Sequence, residues 1–290
     1  MAEYVIVTDS TTDLSQKMVE ELSLSVIPLE FILEGNNYFN YPDGSDMSEK
    51  KFYEELRAGH MAKTVQINVS RFIDWFTPIL EEGKDILYIA FSSGLSGTYH
   101  SALLACDELQ KQFPDRKILV VDSLAASMGE GLLVYHAVMQ KRAGKSIDEV
   151  CAWVETNKLR LCHWFTVDDL GHLKRGGRVS SATALLGTML GIKPVMHVDD
   201  EGHLIPVSKV RGRRNSLEAL FKNMVETVQQ PQEQVVFISH GDCEEDAQWL
   251  GDLIRDKLKV KEIKMNYIGP VIGAHSGPGT VALFFLGSKR

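Results

Sequence analysis

Cysteine is scarce in this chain, and its four residues show no pattern. Cys106, Cys151, Cys162 and Cys243 lie far apart, and no C-x-x-C pair occurs. A disulfide framework and a zinc site both need closely spaced or repeated cysteines. We therefore expect four reduced thiols, no bound metal and a cytoplasmic location.

Long apolar runs, a basic excess and nucleotide-binding motifs are also missing. No run approaches the roughly 18 apolar residues of a membrane-spanning helix, and the first residues carry no basic segment typical of a secretory signal. The net charge of −8 argues against non-specific binding to nucleic acid or to an anionic membrane surface. Neither a P-loop nor a G-x-G-x-x-G motif after a strand occurs, so we expect no cofactor.

The 290 residues are 44% apolar and 24% charged, ordinary proportions for a globular protein. In the first half, β-branched runs alternate with helical patterns, which predicts a mostly parallel sheet. Near residue 158 the pattern changes to one typical of a mixed sheet. We predict an α/β fold of two α/β domains, a Rossmann-like domain over 1–157 and a mixed sheet with helices over 158–290.

Individual strands and helices can also be predicted. We expect one strand over Val26–Leu33, irregular chain over Lys63–Ser70, and a first helix over Leu14–Leu22 that Thr12 or Asp13 caps. A further helix is predicted over Val179–Leu190, whose small and apolar residues are typical of core but would also suit the wall of a narrow apolar tunnel.

The sharpest local signal is a buried-type strand, Asp85–Phe91, followed by S-S-G-L-S-G-T and a helix. Open α/β sheets bind ligands beyond the carboxyl ends of their strands, and a helix N-terminus offers unpaired N–H donors. The loop therefore favours a pocket for a carboxylate or phosphate, and a plain capped turn is the simpler alternative. Ser96 could instead be a nucleophile, although G-L-S-G lacks the spacing of a nucleophile elbow.

A second loop, Gly269–Thr280, contains four glycines and two prolines and has His275 at its centre. An imidazole there could donate a hydrogen bond to an anionic ligand, or could be satisfied by loop carbonyls. A serine hydrolase that uses Ser96 with His275 is therefore one alternative function. A binder of phosphorylated small molecules is another.

Charge is distributed unevenly along the chain. Residues 1–157 carry a net charge of −11 and residues 158–290 one of +3, with +5 concentrated between Lys174 and Arg214. A solvated basic face explains this stretch, and so does contact with a phosphate or with an acidic partner surface. No helix-turn-helix or stacking-aromatic pattern accompanies it, so nucleic acid is not expected.

Six short motifs occur in order along the chain. They are V-T-D-S-T-T-D-L at Val7–Leu14, T-V-Q at Thr64–Gln66, S-S-G-L-S-G-T-Y at Ser92–Tyr99, V-D-S at Val121–Ser123, L-K-R-G-G-R-V at Leu173–Val179 and A-H-S-G-P-G-T at Ala274–Thr280. Each alone is a weak signal, but together they span essentially the whole chain. The set resembles the DegV family of bacterial lipid-binding proteins.

This resemblance implies a long-chain fatty acid bound between two α/β domains, with its acyl chain in an apolar tunnel. By motif match, Thr64, Ser96 and His275 would bind the carboxylate, with backbone N–H help near Gly97. Family members act as the lipid-carrying subunit of bacterial fatty acid kinase. They present the carboxylate to a separate ATP-using subunit and carry the acyl phosphate to phospholipid synthesis, so no catalytic centre is expected in this chain.

The resemblance also bears on partners. Basic residues of the second domain are associated with docking the kinase subunit, which implies that role for Arg175, Arg178 and Arg211. Stable membrane insertion is not expected, although lipid exchange leaves room for transient membrane contact. Independently, a carboxylate buried without a lysine or arginine needs neutral donors, and a Ser/Thr/backbone cradle supplies them.

Overall fold

The computed structural model describes residues 3–179 and 191–290. The strands before residue 158 are β1 (Tyr4–Asp9), β2 (Ser25–Ile27), β3 (Glu30–Leu33), β4 (Asn36–Phe39), β5 (Ala62–Val65), β6 (Asp85–Ala90) and β7 (Ile118–Asp122). The helices there are α1 (Gln16–Leu22), α2 (Glu49–Arg57), α3 (Val69–Glu81), α4 (Thr98–Gln112), α5 (Met128–Arg142) and α6 (Ile147–Asn157).

The later elements follow a different pattern. Their strands are β8 (Leu161–Thr166), β9 (Ile192–Val198), β10 (Leu204–Arg211), β11 (Val235–His240), β12 (Glu262–Tyr267) and β13 (Val281–Leu286). Their helices are α7 (Gly171–Arg175), α8 (Arg213–Thr227), α9 (Glu244–Leu258) and α10 (Pro270–Ser276).

Two principal sheets confirm the predicted α/β fold class. The first is parallel throughout, in the order β2-β1-β6-β7, and its central strand β6 is buried along its whole length. Such burial on both faces explains the continuous apolar run of β6. The second sheet is mixed, in the order β10-β9-β8-β13-β11-β12. The division at residues 157 and 158 stays a prediction.

Helix α5 lies between the two sheets. It packs against β1 and β6 on one side and against β8, β11 and β13 on the other. Leu132 and Val134 of α5 share a core cluster with Phe237 and Phe284 of the mixed sheet. A Cβ at Gly129 would come within 2.8 Å of Phe284, so glycine permits this close approach. The two halves therefore share an apolar core cluster.

A third, three-stranded antiparallel sheet was not predicted. Its order is β4-β3-β5, and it accounts for two wrong predictions. The segment Val26–Leu33 forms two strands in different sheets, because Pro28 between them lacks the N–H that a ladder needs. The start of Lys63–Ser70 is strand rather than irregular chain, since β5 pairs with β3.

Two further local predictions were wrong. Ser15, not Thr12 or Asp13, caps α1, because the backbone of Asp13 turns into the left-handed region at φ 52°. The loop Gly269–Thr280 contains the helix α10, which starts with proline at a position where a missing N–H costs nothing. The helix predicted over Val179–Leu190 lies, apart from Val179, outside the described residues.

Candidate functional site

A cavity of about 350 Å³ lies between the first-half elements and the mixed sheet. Its wall is mostly apolar, with Leu29, Phe91 and Leu95 from one side and Phe165 and Phe284 from the other. The volume falls in the range of small-molecule sites, about 300–1,000 Å³. Its polar lining contains four of the predicted residues, namely Thr64, Ser96, Arg178 and His275.

The third sheet explains how Thr64 and His275 meet. Phe31, Phe52 and Tyr53 of its buried cluster pack with Ala274 of α10, and Tyr53 OH donates to Ile268 O at 2.9 Å. This packing sets β5 against α10. Thr64 Oγ1 and His275 Nε2 consequently lie 2.9 Å apart, although 211 positions separate them in the chain.

Ser96 lies in the loop after β6. Its Oγ accepts from Thr98 N at 3.2 Å and lies 3.0 Å from Thr98 Oγ1, so the side chain closes the turn into α4. Gly97 is the N-cap residue of α4 and offers no side-chain cap. A Cβ there would come within 3.1 Å of Gln66 Cδ, so glycine gives Gln66 room against the helix N-terminus.

The loop is also tied to the second half. Ser92 Oγ donates to Gly202 O at 2.9 Å, and Arg178 Nε donates to Leu95 O at 3.2 Å. Gly202 belongs to the turn between β9 and β10 and has φ +80°, a value that favours glycine. These two contacts join the loop after β6 to the second half of the chain.

His275 is neutral at ordinary pH. Burial, with a smaller effect of the Arg178 charge, lowers the pKa of His275 to about 4. Its Nδ1 is buried and has no hydrogen-bond partner among the described residues. The hydrolase alternative is therefore not favoured, because His275 Nε2 faces Thr64 rather than Ser96, and Nδ1 has no carboxylate to orient it.

A second cavity of about 230 Å³ adjoins the first, and we call it the vestibule. Both cavities are lined by Thr64, Arg178 and His275. The vestibule adds Lys63 and Arg175, and no acidic side chain of the described residues lines it. It is therefore suited to an anion. Arg211, exposed at the end of β10, lines neither cavity.

Sequence reasoning missed a buried acidic network beside the cavity. Asp9 accepts from Thr11 N at 3.0 Å and Tyr88 OH at 2.7 Å, and it also contacts Thr11 Oγ1. Glu130 lies 2.8 Å from Thr11 Oγ1 and 3.2 Å from Thr8 Oγ1. The motif V-T-D-S-T-T-D-L held the signal for the strand-end residues, but only the fold brings Glu130 of α5 to them.

A count of the available hydrogen-bond donors shows that the pair Asp9 and Glu130 holds one proton. Thr8 Oγ1 donates to Ile89 O at 3.0 Å, and the single hydrogen of Thr11 serves Asp9. An ionised Glu130 would then have no donor, whereas a protonated one donates to either hydroxyl. Burial accordingly raises the pKa of Glu130 well above its usual range. Among the described residues, no His/Cys/Asp/Glu group is arranged to hold a metal ion.

Ser276 was also missed. It lines the cavity next to His275, is 6% exposed, and its Oγ has no hydrogen-bond partner within the described part of the chain. In the helix α10, Ser276 stacks on Ile272 and His275 on Val271, because residues four apart share a face. The C-terminal turn of α10 is therefore polar toward the cavity, and its first turn is apolar.

Comparison with known proteins settles the family. A family model described as "Uncharacterised protein, DegV family" matches residues 3–288. A DegV domain-containing protein of Clostridium perfringens is 48% identical over 290 residues, covering 100% of this chain and 99% of that protein. The chain belongs to the DegV family. The resemblance carried by the six motifs is thereby confirmed.

Solved DegV structures confirm the fold. A DegV lipid binding protein from Thermotoga maritima is 30% identical, with 99% of each chain covered and a TM-score of 0.88. A DegV family protein from Thermus thermophilus, described for its fatty acid binding, is 31% identical, with 99% of this chain and 100% of that chain covered and a TM-score of 0.89. Over residues 3–179 and 191–290, no helix is long and apolar enough to cross a membrane.

Proposed function

We propose that this DegV protein binds a long-chain fatty acid between its two halves, residues 1–157 and 158–290. The carboxylate is bound at Thr64, Ser96 and His275 and at the backbone near Gly97. The observation that carries the proposal is the mostly apolar cavity whose polar lining combines the neutral side chains of Thr64, Ser96 and His275 with the guanidinium of Arg178. Each buried methylene contributes roughly 0.8 kcal/mol before binding costs, so the hydrocarbon supplies affinity and the polar groups fix orientation.

Organic extraction of the purified recombinant protein, followed by mass spectrometry, tests the proposal. We expect a co-purifying fatty acid, and uptake of palmitic acid after delipidation. Absence of both co-purifying and re-bound fatty acid would contradict the proposal, and a bound phosphorylated molecule without a long chain would favour a different ligand class.

The vestibule supports a further step of the proposal. A separate ATP-using kinase subunit phosphorylates the carboxylate at the vestibule, and this protein, without a catalytic centre of its own, carries the acyl phosphate to phospholipid synthesis. Lys63, Arg175 and Arg178 line the vestibule, and their positive charges suit an added phosphate. Because Arg178 also donates to Leu95 O, we assign it to the ligand cavity as well as to the partner surface.

Arg211 allows a clean test of partner docking. Arg211→Glu is expected to reduce acyl phosphate formation with the kinase subunit at least fivefold while fatty acid occupancy is unchanged, since Arg211 lines neither cavity. Lys257→Glu, at an exposed position of α9, makes the same charge change elsewhere. Equal rates for both variants would contradict a docking role for Arg211.

The proposal places the protein in the cytoplasm, with transient membrane contact for lipid exchange. All four cysteines are free, which suits a reducing compartment. Fractionation of cells that express the protein would test this location. Recovery in an extracellular fraction would contradict it.

A further inference from the structure

The ring of His275 lies against the backbone of Gly176. A Cβ built on Gly176 would sit closer to Nδ1 than any real contact, and 3.2 Å from both Cγ and Cε1. These distances, taken together with the closer approach to Nδ1, place the Cβ near the in-plane axis along which Nδ1 carries either a lone pair or a hydrogen. In the glycine itself a hydrogen takes the place of this Cβ, which leaves room for the ring.

Gly176 is held firmly in this position. Its N–H donates to His172 O at 2.9 Å at the end of α7, and its carbonyl accepts from Arg178 Nη1 at 2.5 Å. Its φ of −71° is open to any residue. Glycine is therefore needed here for space beside the imidazole and not for backbone conformation.

A neutral imidazole has one hydrogen, and the two ring nitrogens have different surroundings. At Nδ1 a hydrogen would point at Gly176 with no acceptor, whereas at Nε2 it can donate to Thr64 Oγ1 at 2.9 Å. In the second arrangement, Thr64 keeps its own hydroxyl hydrogen. No other hydrogen bond joins the Thr64 side chain to the described residues, so that hydrogen is available to the cavity.

We infer that Gly176 fixes His275 as the tautomer with hydrogen on Nε2, and that Thr64 is thereby the hydroxyl that donates to the bound head group. Gly176 is a positioning residue, acting through His275. The identity of the ligand rests on the proposed function, whereas the assignment of the tautomer does not depend on it. The low pKa of His275 agrees with a neutral ring.

Nitrogen NMR of the delipidated, ¹⁵N-histidine-labelled protein at pH 7 reads the tautomer directly. His275 is expected to show a protonated Nε2 and an unprotonated Nδ1, and its signals are identified by their loss in His275→Gln. A protonated Nδ1, or a doubly protonated ring, would overturn the inference. This measurement needs no ligand. A protein with the expected tautomer that binds no fatty acid would overturn the proposed function alone.

Gly176→Ala tests the positioning role. The added methyl displaces the ring, so we expect mixed tautomers and at least tenfold weaker binding of palmitic acid. Gly251→Ala is the matched control, because a Cβ there meets only ordinary contacts of 3.6 Å or more. A folded Gly176→Ala protein with wild-type tautomer and affinity would overturn the inference.

A second pair of variants keeps the inference testable if Gly176→Ala does not fold. Thr64→Val keeps the shape of Thr64 but removes the donor, and at least tenfold weaker binding is expected. Thr64→Ser restores a hydroxyl and is expected to recover most of that loss. Wild-type affinity in Thr64→Val would overturn the donor role of Thr64.

Discussion

At the scale of single residues, the cavity wall carries neutral hydroxyls, and a buried carboxyl beside the cavity, that of Glu130, holds a proton. Thr64 and Ser276 offer hydrogens to a ligand, and Glu130 keeps its own. Burying a carboxylate among neutral donors is tolerable only if each donor is available, since unmet polar groups cost free energy. Buried side chains whose polar atoms have no hydrogen-bond partner among the described residues are therefore the best candidates for contacts with the ligand.

Ser276→Ala separates binding from stability. Its hydroxyl has no partner among the described residues, so removing it should change the free energy of unfolding of the delipidated protein by less than about 0.5 kcal/mol. If Ser276 donates to the ligand, affinity should fall by about 1 kcal/mol, or roughly fivefold. Calorimetric titration with palmitic acid and thermal unfolding check the two parts. Unchanged affinity would remove Ser276 from the head-group site.

The buried carboxyl of Glu130 is expected to make the free energy of unfolding depend on pH. Its folded pKa is raised above the unfolded value, so above pH 4.5 the folded protein retains a proton that the unfolded chain releases. Stability contributed by this group is full below that pH and falls as pH rises, by up to about 1.4 kcal/mol per pH unit. Glu130→Gln, which stays neutral and still donates, should flatten this fall.

Urea unfolding at pH 6 and at pH 8 measures the slope. The control is Glu226→Gln, at an exposed position of α8. An equal loss of stability between the two pH values in wild type and in Glu130→Gln would show that Glu130 does not hold the proton. Asp13, whose pKa burial raises to about 8, adds a slope of the same sign and remains in both variants.

At the scale of elements, α10 carries His275 and Ser276 and is anchored from the opposite half. Asp13 Oδ1 accepts from Gly269 N at 2.9 Å, at the start of α10, and Asn266 Nδ2 donates to Asp13 O at 2.8 Å. Asp13 Oδ2 lies 2.5 Å from Ser127 Oγ. One buried side chain thus connects β1, the start of α5 and α10.

Asp13→Ala should loosen this connection. It removes two buried hydrogen bonds and leaves alanine at φ 52°, so we expect a loss of about 2–4 kcal/mol in the free energy of unfolding and weaker fatty acid binding. Asp13→Asn keeps an acceptor and tolerates this backbone, and should lose less than half as much. Denaturant unfolding compares the two. Equal losses would contradict the anchoring role.

At the scale of the whole molecule, the cavity lies between the first-half elements and the mixed sheet, and α5 lies between the two principal sheets. A ligand that binds only the folded state stabilises it by about 2.7 kcal/mol at one hundred times its dissociation constant. Because α5 shares a core with both sheets, we expect a single cooperative transition whose midpoint falls on delipidation and recovers with palmitic acid. Two transitions, with only one responding to the fatty acid, would contradict a ligand held by both halves.

Local patterns were sufficient for much of this architecture. The continuous apolar run of β6 and the S-S-G-L-S-G-T turn predicted a parallel sheet with a polar strand end, because those signals arise between near neighbours in the chain. The third sheet was missed, since β5 is short and polar and becomes a strand only by pairing with β3. Local propensity carries no information about such a partner.

The sequence by itself determined the α/β class, the family through six ordered motifs, and the residue types of the head-group site. Only the tertiary structure decided that Thr64 faces His275, that Gly176 blocks one side of the imidazole, and that Glu130 meets Asp9 through Thr11. The partners in these contacts, Gly176 with His275, Glu130 with Thr11 and Thr64 with His275, lie 99 to 211 positions apart in the chain. Hydrogen-bond partners and desolvation are properties of surroundings, which the chain acquires only when it packs.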